Sequence, residues 1–168
     1  MATLESERPS RASSSSSGAS DAGSAQPLGL FAYGTLTLDS VMQILLGRIP
    51  PSELTSAPGW RAAGLPDLSY PGLVADQTGN APGRLYSDLT EAEWTLLDAF
   101  ENPLYDVAPL SLANGRRGLA YVWPSSAPQA LTSTWTVDSV DAAIIDMYLE
   151  NCAAWREEWD KSRNDLEP

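Results

Sequence analysis

The feature that most constrains the fold is a pair of apolar runs on either side of an Asn-Gly dipeptide. The runs are YDVAPLSLA (residues 105–113) and RRGLAYVWP (residues 116–124), with Asn114 and Gly115 between them. An Asn-Gly pair favours the tight turn whose twist matches two antiparallel strands, so this segment predicts a β-hairpin. Because an isolated hairpin is at best marginally stable in water, the chain must contain a sheet for it to join.

Three segments have the apolar spacing of helices. Residues 39–47 (DSVMQILLG) begin with an Asp or Ser cap candidate and end on glycine, and residues 90–101 open with a capping box formed by Thr90 and Glu93. The third helix is predicted from Val140 onwards. The residues expected to face inward are Trp94, Leu97 and either Phe100 or Leu96 on the second helix, and Ile144, Met147 or Tyr148, Cys152 and Trp155 on the third.

Strands are predicted elsewhere in the chain. LGLFAY (residues 28–33) is an apolar run that stops at Gly34, and GRLYSDL (residues 83–89) has a strand-like composition. Residues 53–75 contain several glycines and prolines and predict short strands joined by turns. Strands and helices together predict an α+β fold.

The first 27 residues differ in composition from the rest. They consist largely of Ser, Ala and Gly and hold almost nothing apolar to bury, which predicts a disordered tail at 1–27 and a folded domain at 28–168. A transit peptide is the alternative, but Glu5, Glu7 and Asp21 and the lack of an amphipathic pattern argue against it.

Charge and cysteine content restrict the partners and the compartment. The chain has 22 acidic and 10 basic residues, a net charge of −12, which disfavours nucleic acid and anionic membranes as partners. The single cysteine, Cys152, excludes an intramolecular disulfide, and the sequence contains no long apolar span or secretory signal. We therefore expect a cytoplasmic protein whose partner is neither nucleic acid nor a membrane; the small-molecule substrate that we expect instead is implied by the resemblance given below.

Histidine is absent from the whole sequence. Its absence excludes Ser-His-Asp and Cys-His nucleophile systems, HExxH metal sites and mixed Cys/His zinc sites. Neither of the common glycine-rich phosphate loops occurs. We expect no metal and no cofactor, and the proton carrier of an enzyme of this composition would be a carboxylate or a tyrosine.

Glu101 and the turn after residues 28–33 are the two candidate functional positions. A carboxylate at a helix C-terminus, next to Phe100 and Tyr105, would have a raised pKa suited to general acid/base catalysis, but it could equally be a solvated loop residue. The turn at Gly34 could expose backbone N–H groups to an anion, or it could be a turn without function. Asp98, one helical turn before Glu101, could pair with it but fits a cap or surface position better.

Four stretches of the sequence favour a functional role for both Glu101 and the turn at Gly34. They are FAYGTL (31–36), YPGLV (70–74), GRLYSDLTEAEWTLLDAFENPLY (83–105) and GLAYVW (118–123). In order and spacing they resemble the gamma-glutamylcyclotransferase-like superfamily, including its AIG2-like branch. The resemblance covers nearly everything from Leu30 to Trp123.

The resemblance implies an α+β fold, a small mixed β-barrel flanked by helices with a cavity at its mouth. It implies cleavage of a γ-glutamyl amide by its own α-amine, releasing 5-oxoproline. The catalytic glutamate of the family falls on Glu101, and its downstream tyrosine falls on Tyr105. Its substrate-binding loop falls on Tyr33, Gly34, Thr35 and Leu36.

The sequence departs from the family after the second helix. The usual Glu-Gly is Glu101-Asn102, and Val107 stands where the family usually has arginine. The Val107 change favours one alternative, an enzyme of the same fold that uses Glu101 for another proton transfer, cyclisation or elimination in specialised biosynthesis. A second alternative is a non-catalytic small-molecule binding module, but the presence of both the 33–36 loop and Glu101 argues against it.

Overall fold

The computed structural model describes residues 28–101 and 104–166, so the predicted tail at 1–27 lies outside the described residues. Within them the chain forms five strands and three α-helices, together with short 3-10 helices. In chain order the elements are β1 (Gly29–Ala32), α1 (Asp39–Leu46), β2 (Ser52–Leu65), β3 (Leu68–Tyr86), α2 (Glu91–Glu101), β4 (Asp106–Ser111), β5 (Arg117–Val122) and α3 (Ala142–Asn164).

The strands form one mixed sheet in the order β2-β3-β1-β5-β4. The two hairpins, β2/β3 and β4/β5, are antiparallel, and β1 joins them by pairing antiparallel with β3 and parallel with β5. An additional pairing of Leu73 with Val122 brings β3 directly to β5. Since β1, β3 and β5 then each pair with the other two, they close a small barrel, and the predicted α+β class is confirmed.

Alternation along the strands separates two cores. In β1, Leu30 and Ala32 belong to a cluster shared with the helices, whereas Phe31 belongs to a second cluster formed with barrel residues such as Leu73. Successive strand residues point to opposite faces, which explains this division. Helix α1 contributes Met42 to the first cluster and packs against α3. Strand β1 thus lies between the barrel interior and the helical layer.

Several local predictions are confirmed. Helix α1 ends at Leu46, and Gly47 follows it in the left-handed conformation that glycine adopts readily (φ 74°). The capping box before α2 is formed: the Thr90 amide donates to Glu93 Oε1 at 2.9 Å, and the Glu93 amide donates to Thr90 Oγ1 at 3.1 Å. The hairpin around Gly115 also forms, as β4 and β5.

The prediction of several short strands over residues 53–75 is wrong. Two long strands, β2 and β3, run through this region and pair almost along their whole length. Register shifts between Pro58 and Trp60 and between Ala63 and Leu65 fall at Gly59 and Gly64, two of the glycines that suggested interruptions. The strand predicted at 83–89 is the end of β3, which stops at Tyr86.

The inward stripe of α3 is shorter than predicted. Tyr148, Cys152 and Trp155 pack against the helix-side cluster. Ile144 is 41% exposed, so its predicted burial is wrong. Of the alternatives Met147 and Tyr148, Tyr148 is the residue that packs inward, because Met147 is 61% exposed. The apolar stripe of α3 reaches the core only from Tyr148 onwards.

Candidate active site

A cavity of about 150 Å³ lies where the end of β1 meets α2 and α3. All six residues that the sequence nominated line this one cavity: Tyr33, Gly34, Thr35, Leu36, Glu101 and Tyr105. The other lining residues, which the sequence did not nominate, are Phe31, Ala32, Tyr70, Pro71, Phe100, Leu104, Tyr121 and Tyr148.

The loop after β1 forms one wall of the cavity. The loop continues into a short 3-10 helix, Thr35–Thr37. The Tyr86 hydroxyl holds the loop in place by donating to the Leu36 carbonyl at 2.9 Å. A Cβ at Gly34 would lie 2.8 Å from Pro71 Cγ, so glycine permits this close approach. Among residues 28–101 and 104–166, the amides of Gly34, Thr35 and Leu36 find no acceptor, which leaves them available to a ligand.

Glu101 is the last residue of α2, and its side chain lies in the cavity wall. Burial raises the pKa of its carboxyl from an ordinary 4.5 to about 8, because removal from water disfavours the charged form. No other contribution to this shift is resolved. Glu101 is therefore a partly desolvated cavity residue, not a solvated loop residue, and its pKa lies in the range of a general acid/base near neutral pH.

This burial predicts an unusual pH dependence of stability. A carboxyl with a raised folded-state pKa opposes ionisation of the native protein, so its contribution to stability is present at acidic pH and is lost as pH rises from about 4.5 to about 8. We expect Glu101→Gln, which cannot ionise, to gain stability relative to the native protein over that range. Urea unfolding of both proteins at pH 5 and pH 9 measures this, and an equal difference at the two pH values would contradict the burial of Glu101.

Tyrosine dominates the rest of the wall: of six tyrosines in the chain, five line the cavity and the sixth is Tyr86 beneath the loop. Three of the five donate their hydroxyls to groups of the protein. Tyr33 donates to the Tyr121 carbonyl, Tyr105 donates to the Pro71 carbonyl at 2.6 Å, and Tyr121 donates to Asp98 Oδ1 at 2.9 Å. These bonds connect the strands, the loop and α2 around the cavity.

Burial and the negative charge of Glu101 act on these hydroxyls in the same direction. Burial first, and the Glu101 charge in addition, raise the pKa of Tyr33, Tyr70, Tyr105 and Tyr148 above the ordinary value of 10. All four therefore stay protonated at neutral pH. They are neutral hydrogen-bond donors and acceptors, not anions.

Asp98 does not occupy the surface position expected from the sequence. It is 5% exposed and accepts the Tyr121 hydroxyl, yet it does not line the cavity. A carboxylate pair with Glu101 inside the cavity is therefore not formed. Cys152 is buried and packs in the core, as predicted, and Val107 packs against the same helix-side cluster without lining the cavity.

The cavity wall holds one carboxylate and no basic side chain among the residues that the structure describes. In the same part of the chain, no three His, Cys, Asp or Glu side chains are grouped closely enough to hold a metal ion. The helices within it are also too short or too polar to span a bilayer. A ligand thus meets an acid, aromatic rings, hydroxyls and backbone amides.

The model of the family "Gamma-glutamyl cyclotransferase, AIG2-like" matches residues 30–141, which include the loop, Glu101 and Tyr105. The chain belongs to this family. Among its relatives, AIG2-like protein D of Arabidopsis thaliana is 24% identical over 143 residues, covering 82% of this chain and 94% of that protein. AIG2-like protein C of the same plant is 30% identical over 111 residues, covering 63% of this chain and 64% of that protein.

Solved structures of other proteins show the same fold. Two solution structures of Arabidopsis thaliana proteins superpose with TM-scores of 0.58 and 0.57, each at 20% identity. The first superposition covers 83% of this chain and 87% of the other chain, and the second covers 84% and 93%. Helix α3 begins after the last residue of the family match, so Tyr148 is a lining residue outside the matched range.

Proposed function

We propose that this AIG2-like protein is a cofactor-free cyclotransferase that cleaves a γ-glutamyl amine or γ-glutamyl amino acid and releases 5-oxoproline. The observation that supports this most directly is the placement of Glu101, with its pKa raised to about 8, in the same small cavity as the loop at 33–36. A desolvated carboxyl and unpaired amides are the two parts that an intramolecular acyl transfer requires.

The reaction needs no nucleophile from the protein. The α-amine of the substrate attacks its own γ-carbonyl carbon, a five-membered lactam forms, and the bond to the leaving nitrogen breaks. Because both reacting groups belong to one molecule, holding a folded conformer supplies much of the rate enhancement. The aromatic walls suit this task, and the cavity of about 150 Å³ is smaller than the roughly 300–1,000 Å³ of drug-sized sites.

Glu101 would carry the protons. At pH 7 a group with a pKa of about 8 is ionised in about one molecule in ten, and an arriving α-ammonium group would lower this pKa by charge attraction. The ionised carboxylate takes a proton from the ammonium group and frees the amine to attack. The same group, now neutral, returns a proton to the departing nitrogen, so a single carboxyl serves both steps.

The loop would stabilise the charge that develops on the carbonyl oxygen. The amides of Gly34, Thr35 and Leu36 find no acceptor in the described part of the chain, and backbone donors held in place before reaction favour an oxyanion most. Tyr105 would act by position, because its hydroxyl bond to Pro71 holds the wall against which Gly34 packs.

The function is tested by incubating the native protein with a panel of γ-glutamyl amines and γ-glutamyl amino acids and detecting 5-oxoproline by mass spectrometry. Release from at least one member supports the proposal. No release from any member by folded protein would overturn it, and the site would then be assigned to another cyclisation or to binding alone.

Gly34→Ala tests the loop. The added Cβ would meet the rigid Pro71 ring at 2.8 Å, so the loop must move, and we expect 5-oxoproline release to fall at least about tenfold while the fold persists. Initial rates and thermal unfolding measure the two effects. Pro71→Ala in the same chain removes the obstructing ring and should restore part of the rate, and a double variant as impaired as the single one would show that the clash is not the cause.

A further inference from the structure

The carboxylate of the proposed substrate has no cationic partner among the described residues that line this cavity. A γ-glutamyl compound carries a free α-carboxylate, and 5-oxoproline keeps it. Among the described residues, the cavity wall offers no lysine or arginine, and its one acidic group, Glu101, would repel the carboxylate whenever it is ionised. The carboxylate must therefore be bound by neutral donors. Because the loop amides are already assigned to the carbonyl oxygen in the proposed reaction, the side-chain hydroxyls are the donors left to consider.

Most hydroxyls around the cavity are already committed. Tyr33, Tyr105 and Tyr121 each donate their single hydroxyl proton to an oxygen of the protein. Two tyrosines remain, Tyr70 and Tyr148. Tyr148 is the more buried of the two, so water competes less with a ligand for its hydroxyl.

Tyr148 is also held in position by an acceptor bond that leaves its own proton usable. Thr35 Oγ1 donates to the Tyr148 hydroxyl oxygen at 2.9 Å. The other partner of this hydroxyl is the Cys152 thiol, which is a weak acceptor. The ring of Tyr148 packs edge-on against Phe100, with the centroids 6.5 Å apart. The hydroxyl is thus fixed beside the substrate loop, and an anionic oxygen would be a stronger acceptor than sulfur.

We propose that Tyr148 donates its hydroxyl to the α-carboxylate of the bound glutamyl group and so acts as a specificity residue supplied by α3. This inference rests on the proposed function. It gives α3 a role that the family match at 30–141 does not include. It also explains how a cavity whose described lining residues include no basic side chain can accept an anionic group.

The test compares two ligands that share the lactam ring: 5-oxoproline, and 2-pyrrolidinone, which lacks the carboxylate. Calorimetric or NMR titration gives the affinity of each for the native protein and for Tyr148→Phe, which keeps the ring and removes the hydroxyl. A hydrogen bond to a charged group corresponds to about tenfold or more in affinity. We expect that loss for 5-oxoproline and no change for 2-pyrrolidinone.

Met147→Ala is the matched control, because Met147 precedes Tyr148 on the same helix and is 61% exposed. It should change neither affinity. If Tyr148→Phe folds poorly, Thr35→Val provides a second variant, because it removes the donor that orients Tyr148. It should weaken the binding of 5-oxoproline and leave the binding of 2-pyrrolidinone unchanged.

The outcomes separate the two proposals. Native protein that releases 5-oxoproline, with a Tyr148→Phe variant whose KM and 5-oxoproline affinity are unchanged, overturns the role of Tyr148 alone. An equal loss of affinity for both ligands in Tyr148→Phe also overturns it, since the hydroxyl would then not recognise the carboxylate. Native protein that neither binds 5-oxoproline nor releases it overturns the proposed function, and this inference with it.

Discussion

The Glu101→Gln variant is expected to release 5-oxoproline at least about a hundredfold more slowly than the native protein. Glutamine has nearly the same shape but can neither take the proton of the α-ammonium group nor return one to the leaving nitrogen. Positioned proton transfer contributes about 10²–10⁴ to a rate. Initial rates at saturating substrate, followed by mass spectrometry, measure the loss in kcat.

A matched carboxylate change controls for charge. Glu150→Gln removes one negative charge from the exposed face of α3 and should leave the rate unchanged. Thermal unfolding of both variants shows that they are folded. A Glu101→Gln variant that keeps more than about a third of the native rate would exclude Glu101 as the proton carrier.

Phe31→Ala is expected to lower the free energy of unfolding by about 3–5 kcal/mol, the usual cost of removing a buried aromatic side chain. Phe31 has no exposed surface, packs in the barrel cluster and also lines the cavity. Its loss removes apolar contacts and leaves a void next to the cavity. The midpoint of urea unfolding measures the change.

Leu54→Ala serves as the comparison, since Leu54 lies on β2 with 78% of its surface exposed. A substitution at such a site typically changes stability by no more than about 0.5 kcal/mol. A loss below about 1 kcal/mol for Phe31→Ala would mean that the barrel interior does not contribute to stability as the packing indicates.

Predictions from the sequence succeeded where the signal is local. The Thr90–Glu93 capping box, Gly47 after α1 and the Asn-Gly turn each depend on residues a few positions apart. The long pairing of β2 with β3 depends on contacts across the sheet, and it overrides the glycines and prolines that suggest interruptions. Local propensity could not reveal that.

The same distinction applies to the site. Motif residues such as Glu101 and Gly34 could be nominated because they lie in recognisable stretches, and the structure brings them into one cavity. Tyr148 comes from α3, 113 positions after its partner Thr35. Its spacing on the helix predicted only burial. The surface position predicted for Asp98 was wrong for a related reason, because its partner Tyr121 lies on β5, far from Asp98 in the sequence.

The tyrosine hydroxyl bonds have a consequence for how a ligand binds. They join lining residues to one another in pairs: Tyr33 with Tyr121, Tyr105 with Pro71, and Tyr148 with Thr35. Tyr121 is also held by Asp98, which does not line the cavity. Side chains already held by such bonds have little rotational freedom left to lose when a ligand enters. We therefore expect association without a slow conformational step, and small differences between the empty and occupied shapes of the site.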